Sequence, residues 1–116
     1  MIWVNILPHT SKVSRYTFGA RIENKFLDLL ETSYIAYYIE KDKKLEKISR
    51  CILLLDTLKF LVSIAWEGKI ISNRQFEEIS TKLNEAGKMF GGWRKSLEIE
   101  QIKTATVKLR KEFLSG

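Results

Sequence analysis

The stretch CILLLDTLKFLVSIAW, residues 51–66, decides the fold of this 116-residue chain. Only Asp56 and Lys59 within it are charged, and its apolar residues recur every three or four positions along two neighbouring stripes. Spacing of this kind predicts an α-helix. Because a helix that is apolar on more than one side is usually covered by more than one neighbour, we expect it to lie inside a helical bundle or across a subunit interface.

Upstream, the same spacing predicts a first helix and the beginning of a second. Apolar residues recur at three and four positions over residues 11–40, with charged residues on the far side. The segment Glu40–Lys44 is short and charged, which suits a tight connection, and the helix that contains the opening stretch is expected over residues 43–67. Residues 1–10 include the only proline, Pro8, and are expected to form an N-terminal segment.

Downstream, local signals mark the end of one helix and the start of another. Gly68 is placed to end the second helix, and Ser72, followed three residues later by Gln75, has the pattern of a capping box. A third helix is expected over residues 73–95, where apolar residues repeat as in a coiled-coil seam. A separate C-terminal helix is expected over residues 97–114.

These elements predict an all-α fold without strands beyond the first few residues. Gly87 and Gly91 lie one turn apart in the third helix and are expected to let another backbone approach closely. The expected architecture is a single domain over residues 1–116, built as an antiparallel up-and-down helical bundle of the four-helix type.

The inventory of reactive side chains argues against an enzyme. The chain has one Cys and one His, which excludes an internal disulfide and a Cys/His zinc site within the chain. Cys51 and His9 could in principle act as nucleophile and base, but the apolar surroundings of Cys51 favour an inert buried thiol. No acidic cluster has the spacing of a metal site, and no common catalytic motif is present. We therefore expect no enzymatic activity, no cofactor and no metal.

The chain also shows no targeting or membrane signal. Residues 1–11 lack the basic start of a signal peptide and are interrupted by Pro8. The later uncharged runs fall far short of the roughly twenty residues that a membrane span needs. A cytoplasmic protein without a membrane partner is expected.

Positive charge is concentrated in three places, within a formal net charge of +6. The excess lies near the start of the first helix, over residues 41–50, and in the C-terminal third. In an antiparallel bundle the first and third of these regions can meet at one end. A single basic surface, typical of a protein that binds nucleic-acid phosphates, would then consist of Lys12, Arg15, Arg21, Lys25, Lys88, Arg94 and Lys95.

Other interpretations of the same residues remain open at this point. Lys and Arg on exposed helix faces often only keep a protein soluble, so the chain could be a structural or protein-interaction bundle whose charge is incidental. Trp3, Trp66 and Trp93 lie on or beside apolar stripes, which favours packing over base stacking. A membrane-surface protein would require an exposed apolar helix face.

Several motifs nevertheless resemble one known family, the accessory variability determinant (Avd) proteins of diversity-generating retroelements. These belong with small bacterial four-helix-bundle proteins that include those encoded in ribosomal RNA intervening sequences. The resemblance covers about residues 7–97, and the segment GKMFGGW is its most distinctive part. The motifs are Leu7-Pro8, RYTFG at 15–19 with Arg21-Ile22, LKFL at 58–61 leading into AWE at 65–67, and EAGKMFGGW at 85–93.

The resemblance implies a basic, non-enzymatic four-helix bundle that assembles as a pentameric barrel. It also implies binding to RNA or DNA and association with the reverse transcriptase of the element. That enzyme copies a template RNA into cDNA with errors at adenines, and the cDNA replaces a variable region of a target gene. On this pattern Arg15, Arg21 and Lys59 would contact nucleic acid or the partner.

Two features depart from the family pattern. Family members commonly have a full helix ahead of the Leu-Pro motif, whereas only residues 1–6 precede it here. The N-terminal helix is therefore expected to be shortened, missing or replaced by residues 97–114. Ser63 stands where some members have a second basic residue one turn after the position of Lys59.

Overall fold

The computed structural model describes residues 12–115, with side chains from residue 16 onward. This part of the chain forms three helices and no strand: α1 (Lys12–Tyr38), α2 (Lys41–Glu67) and α3 (Asn73–Ser115). The all-α prediction is confirmed for these residues. The expected N-terminal segment and its Leu-Pro motif lie outside the described residues.

Helix α2 is the centre of the fold, because α1 and α3 both pack along it. The predicted stripes account for this position: Cys51 and Leu58 from one stripe, and Ile48 and Leu55 from the other, are at most 1% exposed. One buried cluster unites all three helices through Leu29, Ala36, Ile48, Cys51, Leu54, Leu55, Leu58, Val62, Leu83, Phe90 and Leu97. The two-sided apolar pattern of α2 therefore corresponds to two covering helices.

Lys44 closes the tight connection between α1 and α2. The amide of Ile39 donates to the carbonyl oxygen of Ile35 at 2.9 Å, which completes the last turn of α1. The carbonyl groups of Ala36 and Tyr37 have no partner further along the helix, and the ammonium group of Lys44 donates to both, at 3.2 and 2.5 Å. A cation at a helix C-terminus also interacts favourably with the helix dipole.

The connection from α2 to α3 is a Schellman motif. Gly68 is the C-cap as expected, but its φ of −80° is an ordinary value. The left-handed residue is Lys69, with a φ of 60°. The amide of Ile70 donates to the carbonyl of Ala65 at 2.8 Å, and the side chain of Ile70 packs against Ile64. The reversal is therefore fixed by hydrogen bonds and an apolar contact, without glycine at the left-handed position.

The predicted capping box at the start of α3 is confirmed. The hydroxyl oxygen of Ser72 accepts from the amide of Gln75 at 3.1 Å, and the side-chain oxygen of Gln75 accepts from the amide of Ser72 at 2.9 Å. Trp66, at the end of α2, stacks on Phe76 with ring centroids 4.4 Å apart. Its indole N–H donates to the side-chain oxygen of Asn73 at 2.7 Å, so the first turn of α3 is held against the last turn of α2.

The expected break between a third helix at 73–95 and a separate helix at 97–114 is absent. Helix α3 runs for 43 residues through Gly91 and Gly92. Each glycine costs about 1 kcal/mol of helix propensity, but Phe90 and Leu97 are buried against α2 on either side of the pair. Tertiary packing therefore maintains the helix across the glycines.

Within the described part of the chain, no backbone of another helix comes close to the glycines of α3. A Cβ at Gly87 would lie 3.2 Å from the ammonium nitrogen of Lys59 and 3.4 Å from a methyl carbon of Leu55, both of which belong to side chains. A Cβ at Gly91 would have nothing within 4 Å. Only Gly87 lies at a close contact.

Beyond Leu97, α3 leaves the bundle. Apart from the half-buried Glu100, residues 98–115, here called the extension, are exposed. The described residues measure 71 Å along their longest axis but only 24 and 20 Å across. A helix of this length rises about 64 Å, so α3 by itself accounts for most of the long dimension.

Candidate nucleic-acid interface and apolar groove

Contacts between α1 and α2 fix the heights of the basic residues along the bundle. The hydroxyl of Ser33 lies 3.8 Å from the sulfur of Cys51, and further from the connection Phe18 packs against Ile64. Lys25 precedes Ser33 by as many residues as Lys59 follows Cys51. Lys25 and Lys59 therefore lie at about the same height.

Helix α3 places Lys88 near this height. Lys59 reaches across to Gly87, where its ammonium nitrogen lies 3.2 Å from the position that a Cβ would take. Lys88 is the next residue and is exposed, whereas Lys25 and Lys59 are half-buried. The middle of the bundle thus carries one predicted basic residue from each helix.

The single basic surface expected from the start of α1 and the end of the third helix does not form. Phe18, near the start of α1, and Ile70, just before α3, pack against the same residue, Ile64. The start of α1 therefore lies beside the start of α3, because two chain reversals restore the original direction. Arg94 and Lys95 lie at least about 10 Å beyond Gly87 along α3, toward the other end.

Arg21 lies one turn before Lys25 in α1, toward the start of that helix, whereas Arg94 and Lys95 lie toward the opposite end of the bundle. Lys12 and Arg15 belong to the first turns of α1, and their side chains are outside the described part of the chain. The structure therefore brings Lys25, Lys59 and Lys88 to one level and distributes the other predicted residues along the bundle.

Most of these cations have no acidic partner. Among the six predicted basic residues whose side chains are described, only Arg94 is within 4.0 Å of a carboxylate, at 3.8 Å from Glu98. The other ion pairs in residues 16–115 join Lys41 to Glu100, Lys43 to Glu40, and Arg74 to Glu78. None of the other five, Arg21, Lys25, Lys59, Lys88 and Lys95, has a carboxylate oxygen within 4.0 Å in the described chain, which leaves their charge available to an anion.

A cluster of three tyrosines at the end of α1 was missed by the sequence reasoning. Tyr34, Tyr37 and Tyr38 are each about two-thirds exposed. The Tyr34 and Tyr38 rings are 4.8 Å apart, and the Tyr37 and Tyr38 rings are 5.0 Å apart. Their spacing of three and four residues predicts neighbouring side chains, so this signal was present in the sequence. Exposed rings next to a lysine-rich connection are suited to stacking on nucleic-acid bases.

The described tryptophans pack within the protein as predicted. Trp66 stacks on Phe76, and Trp93 is half-buried against the core. The ammonium group of Lys44 lies 6.0 Å from the centroid of the Trp93 ring. These rings are therefore engaged in packing, and Trp3 is outside the described residues.

Cys51 has the environment of a structural thiol. Its side chain is fully buried, and burial raises the pKa of the thiol, an effect partly offset by the contact with Ser33. Within residues 12–115, no group of three or more His, Cys, Asp or Glu side chains is arranged to hold a metal ion.

An apolar groove of about 1300 Å³ runs between α1 and α3, along the side of the bundle. Phe26, Leu30 and Tyr37 contribute from α1, and Ala86, Met89 and Trp93 contribute from α3. Lys82 is also part of the lining, together with Lys41, Lys44 and Glu100 near one end. Several of the apolar side chains are open to solvent, Met89 at 66%.

Among the helices described, none combines the length and the apolar character that a membrane crossing requires. In comparisons with known proteins, a family model described as bAvd-like matches residues 2–97. No curated protein and no solved structure matches the chain.

Proposed function

Since this chain belongs to the bAvd-like family, which is consistent with the Avd proteins of diversity-generating retroelements, we propose that it is a non-enzymatic accessory protein of a reverse transcriptase. The family match over residues 2–97 carries this proposal. It spans all three regions that enter the core, and it ends where α3 leaves the bundle. The polymerase chemistry would belong to the partner enzyme, and this chain would support mutagenic cDNA synthesis from the template RNA.

Nucleic-acid binding is the second part of the proposal. Lys25, Lys59 and Lys88 lie at one level of the bundle and have no carboxylate partner among the described residues. Cations of this kind release counterions from RNA or DNA phosphates, so binding weakens steeply with salt and depends little on sequence. Arg21 and Lys95 would extend the contact along the bundle, joined by Lys12, Arg15 and Arg94.

The proposed assembly is a homopentameric ring of antiparallel bundles in the cytoplasm. Each copy would contribute one set of these cations, so several weak contacts would act on a single nucleic-acid chain. Beside the connection, Lys44 of α2 contacts Tyr37 of α1, and far from it Ile64 of α2 contacts Phe18 of α1. This order of contacts supports the antiparallel arrangement. Sedimentation of the full chain measures the oligomeric state, and a mass other than five copies would contradict the pentamer.

Charge reversal tests nucleic-acid binding. The variant with Lys25→Glu, Lys59→Glu and Lys88→Glu is compared with a control in which three exposed basic residues, Lys43, Arg50 and Arg74, become Glu. Fluorescence anisotropy with single-stranded RNA, duplex DNA and an RNA–DNA hybrid is measured at increasing salt. We expect the first variant to lose at least tenfold in affinity and to have a shallower salt slope, and the control to lose much less. Equal losses would contradict a specific role for these three lysines.

Co-purification with the reverse transcriptase tests the partner. We expect a gene for such a reverse transcriptase to lie beside the gene for this chain. Its product is expected to bind the full chain in the presence of nuclease, so that the association does not depend on a shared nucleic acid. No co-purification under conditions where the transcriptase is folded would contradict the accessory role. An intact association with no binding to any nucleic acid would instead support a protein-interaction bundle.

A further inference from the structure

The extension carries an apolar stripe that the described part of the chain leaves open to solvent. Its members follow one another at intervals of three, four, three and four residues: Ile99, Ile102, Thr106, Leu109 and Phe113. The four apolar side chains are between 44% and 86% exposed. This spacing is the a and d pattern of a coiled coil, in which one helix packs against another along such a stripe.

The helix that bears the stripe is continuous and its polar member is satisfied. Thr106 donates the hydrogen bond of its hydroxyl group to the carbonyl oxygen of Ile102 at 2.8 Å. No Gly or Pro occurs between Trp93 and Ser115 to interrupt the helix. Because helices in proteins are stabilised mainly by the packing of an amphipathic face, a partner along this stripe would stabilise the extension.

The stripe begins at Ile99 because the preceding positions do not suit a helix contact. In the same register they are occupied by Lys95, Gly92 and Lys88. In a pair of identical helices each lysine would lie near its own counterpart, and like charges repel each other. The contact surface is therefore confined to the extension, and Lys88 and Lys95 remain outside it.

Charged residues of opposite sign flank the two sides of the stripe. With Ile99 and Thr106 at a positions, the e positions are Lys103 and Arg110, and the g positions are Glu98, Ala105 and Glu112. Within the described residues, Lys103, Arg110 and Glu112 have no oppositely charged group within 4.0 Å, and Glu98 has only Arg94, at 3.8 Å. In a coiled coil the e and g residues lie beside the partner helix and determine its identity and orientation.

These charges match a second copy of the chain that runs in the same direction. In a parallel pair a g residue lies beside the e residue five positions later on the other helix, so Glu98 of each copy would lie beside Lys103 of the other. In an antiparallel pair, Lys103 would instead face Arg110 and Glu98 would face Glu112. A helix with charge of one sign would also meet a like charge on one side of the stripe.

We propose that the extensions of two copies of this chain pair in parallel along Ile99–Phe113 as a short coiled coil. The paired segment is about 21 Å long. Parallel helices related by a rotation axis belong to a closed cyclic assembly. The extension lies outside residues 2–97, which the family model matches, so this contact does not depend on the proposed nucleic-acid or transcriptase role.

Disulfide formation between identical single-site variants tests the contact. Leu109→Cys lies at a d position, where equivalent residues of parallel helices face each other, and Lys111→Cys on the opposite face of the helix is the control. Cys51 is buried in both. Each rate is divided by the rate at which the same thiol reacts with a small disulfide reagent. We expect Leu109→Cys to cross-link about ten times faster than the control, and equal rates would overturn the proposal.

A mixture of two differently tagged variants tests the orientation. Ile102→Cys and Phe113→Cys lie far apart along the stripe, so they face each other only if the two helices run antiparallel. We expect their mixed disulfide to form more slowly than the disulfide of Leu109→Cys. A mixed disulfide that forms faster would overturn the parallel arrangement.

Exchange of the flanking charges provides a further measurement in the Leu109→Cys protein. Glu98→Lys and Lys103→Glu each place like charges beside one another in a parallel pair, and each should slow cross-linking about threefold, as expected for an exposed ion pair. These two changes shift the net charge in opposite directions, so a common slowing does not arise from net charge.

The combined variant with both Glu98→Lys and Lys103→Glu restores opposite charges and should recover the rate. A combined variant that stays slow would overturn the proposal. All these proteins retain Lys25, Lys59 and Lys88, so the outcome is independent of the test of nucleic-acid binding.

Discussion

The ammonium group of Lys44 donates a hydrogen bond of 2.5 Å to the carbonyl oxygen of Tyr37. A residue of α2 thereby caps the C-terminus of α1, and the same group lies 6.0 Å from the Trp93 ring of α3. All three helices meet at this one side chain. Its position explains why a connection of two residues, Ile39 and Glu40, suffices between α1 and α2.

Lys44→Ala is expected to destabilise the protein by about 1.5–3 kcal/mol, because a hydrogen bond from a charged donor contributes roughly this much. Lys43→Ala is the control, since Lys43 is exposed and its nearest carboxylate oxygen, on Glu40, is 4.0 Å away. Urea denaturation measures both. A loss of less than about 0.5 kcal/mol for Lys44→Ala would contradict the capping role.

Lys69→Gly is expected to stabilise the protein by about 1 kcal/mol. Lys69 has a φ of 60°, a conformation that costs an L-residue roughly 1–2 kcal/mol and costs glycine little. Lys69→Ala retains the backbone cost while removing the same side chain, so it should leave the stability nearly unchanged. Thermal unfolding of the three proteins separates the backbone effect from any effect of the lysine charge.

Gly91→Ala and Gly87→Ala should differ although both glycines lie inside α3. At Gly91 a Cβ enters open space, so the gain in helix propensity of about 1 kcal/mol should appear in full. At Gly87 the Cβ meets Lys59 at 3.2 Å, and the lysine has to move by a few tenths of an ångström. We expect a smaller gain at Gly87 in urea denaturation. An equal gain would show that Lys59 moves without cost.

The Cys51 thiol predicts a loss of stability at alkaline pH. Burial raises the pKa of this thiol above its ordinary value of 9.0, so the folded state retains the proton while the unfolded chain releases it. The stabilisation is fully present below pH 9 and is lost as the pH rises through the folded pKa. Unfolding free energies between pH 7 and 10.5 should fall more steeply for the parent than for Cys51→Ala. Parallel curves would contradict the shift.

The tyrosine cluster predicts a stacking contribution to single-stranded RNA binding. Replacing Tyr34 and Tyr38 by Ala should weaken binding by about 1 kcal/mol or more, since base stacking on an aromatic ring contributes about 1–3 kcal/mol. Replacing both by Phe should preserve it. Anisotropy titrations at one salt concentration distinguish the two variants. Equal affinities for the Ala and Phe variants would contradict stacking.

Local signals made much of the fold predictable from the sequence. The two stripes around Cys51–Trp66 identified the central helix, and Ser72 with Gln75 identified the start of α3. Gly91 and Gly92 led to the wrong prediction of a helix end, because the low helix propensity of glycine is a local property. The helix there is maintained by tertiary contacts, since Phe90 and Leu97 pack on α2. The sequence-based boundary near residue 96 therefore has no counterpart in the structure.

The candidate site was less predictable, because it depends on which helix ends meet. Charge sums by segment located the basic regions, but they could not show that α1 and α3 begin at the same end of the bundle. That arrangement separates Arg94 from Arg21 and brings Lys59 close to Gly87 instead. The heights of residues on packed helices are set by core contacts such as Ser33 with Cys51, which no single segment encodes.

The position of α2 between its two sequence neighbours also determines how the chain can fold. Each main helix contact, α1 with α2 and α2 with α3, joins elements that are consecutive along the chain and separated by at most five residues. Closing such short loops costs little conformational entropy. Helical proteins dominated by local contacts fold in microseconds to milliseconds. A freshly synthesised copy would therefore acquire its core before it encounters a partner, so assembly would proceed between folded units.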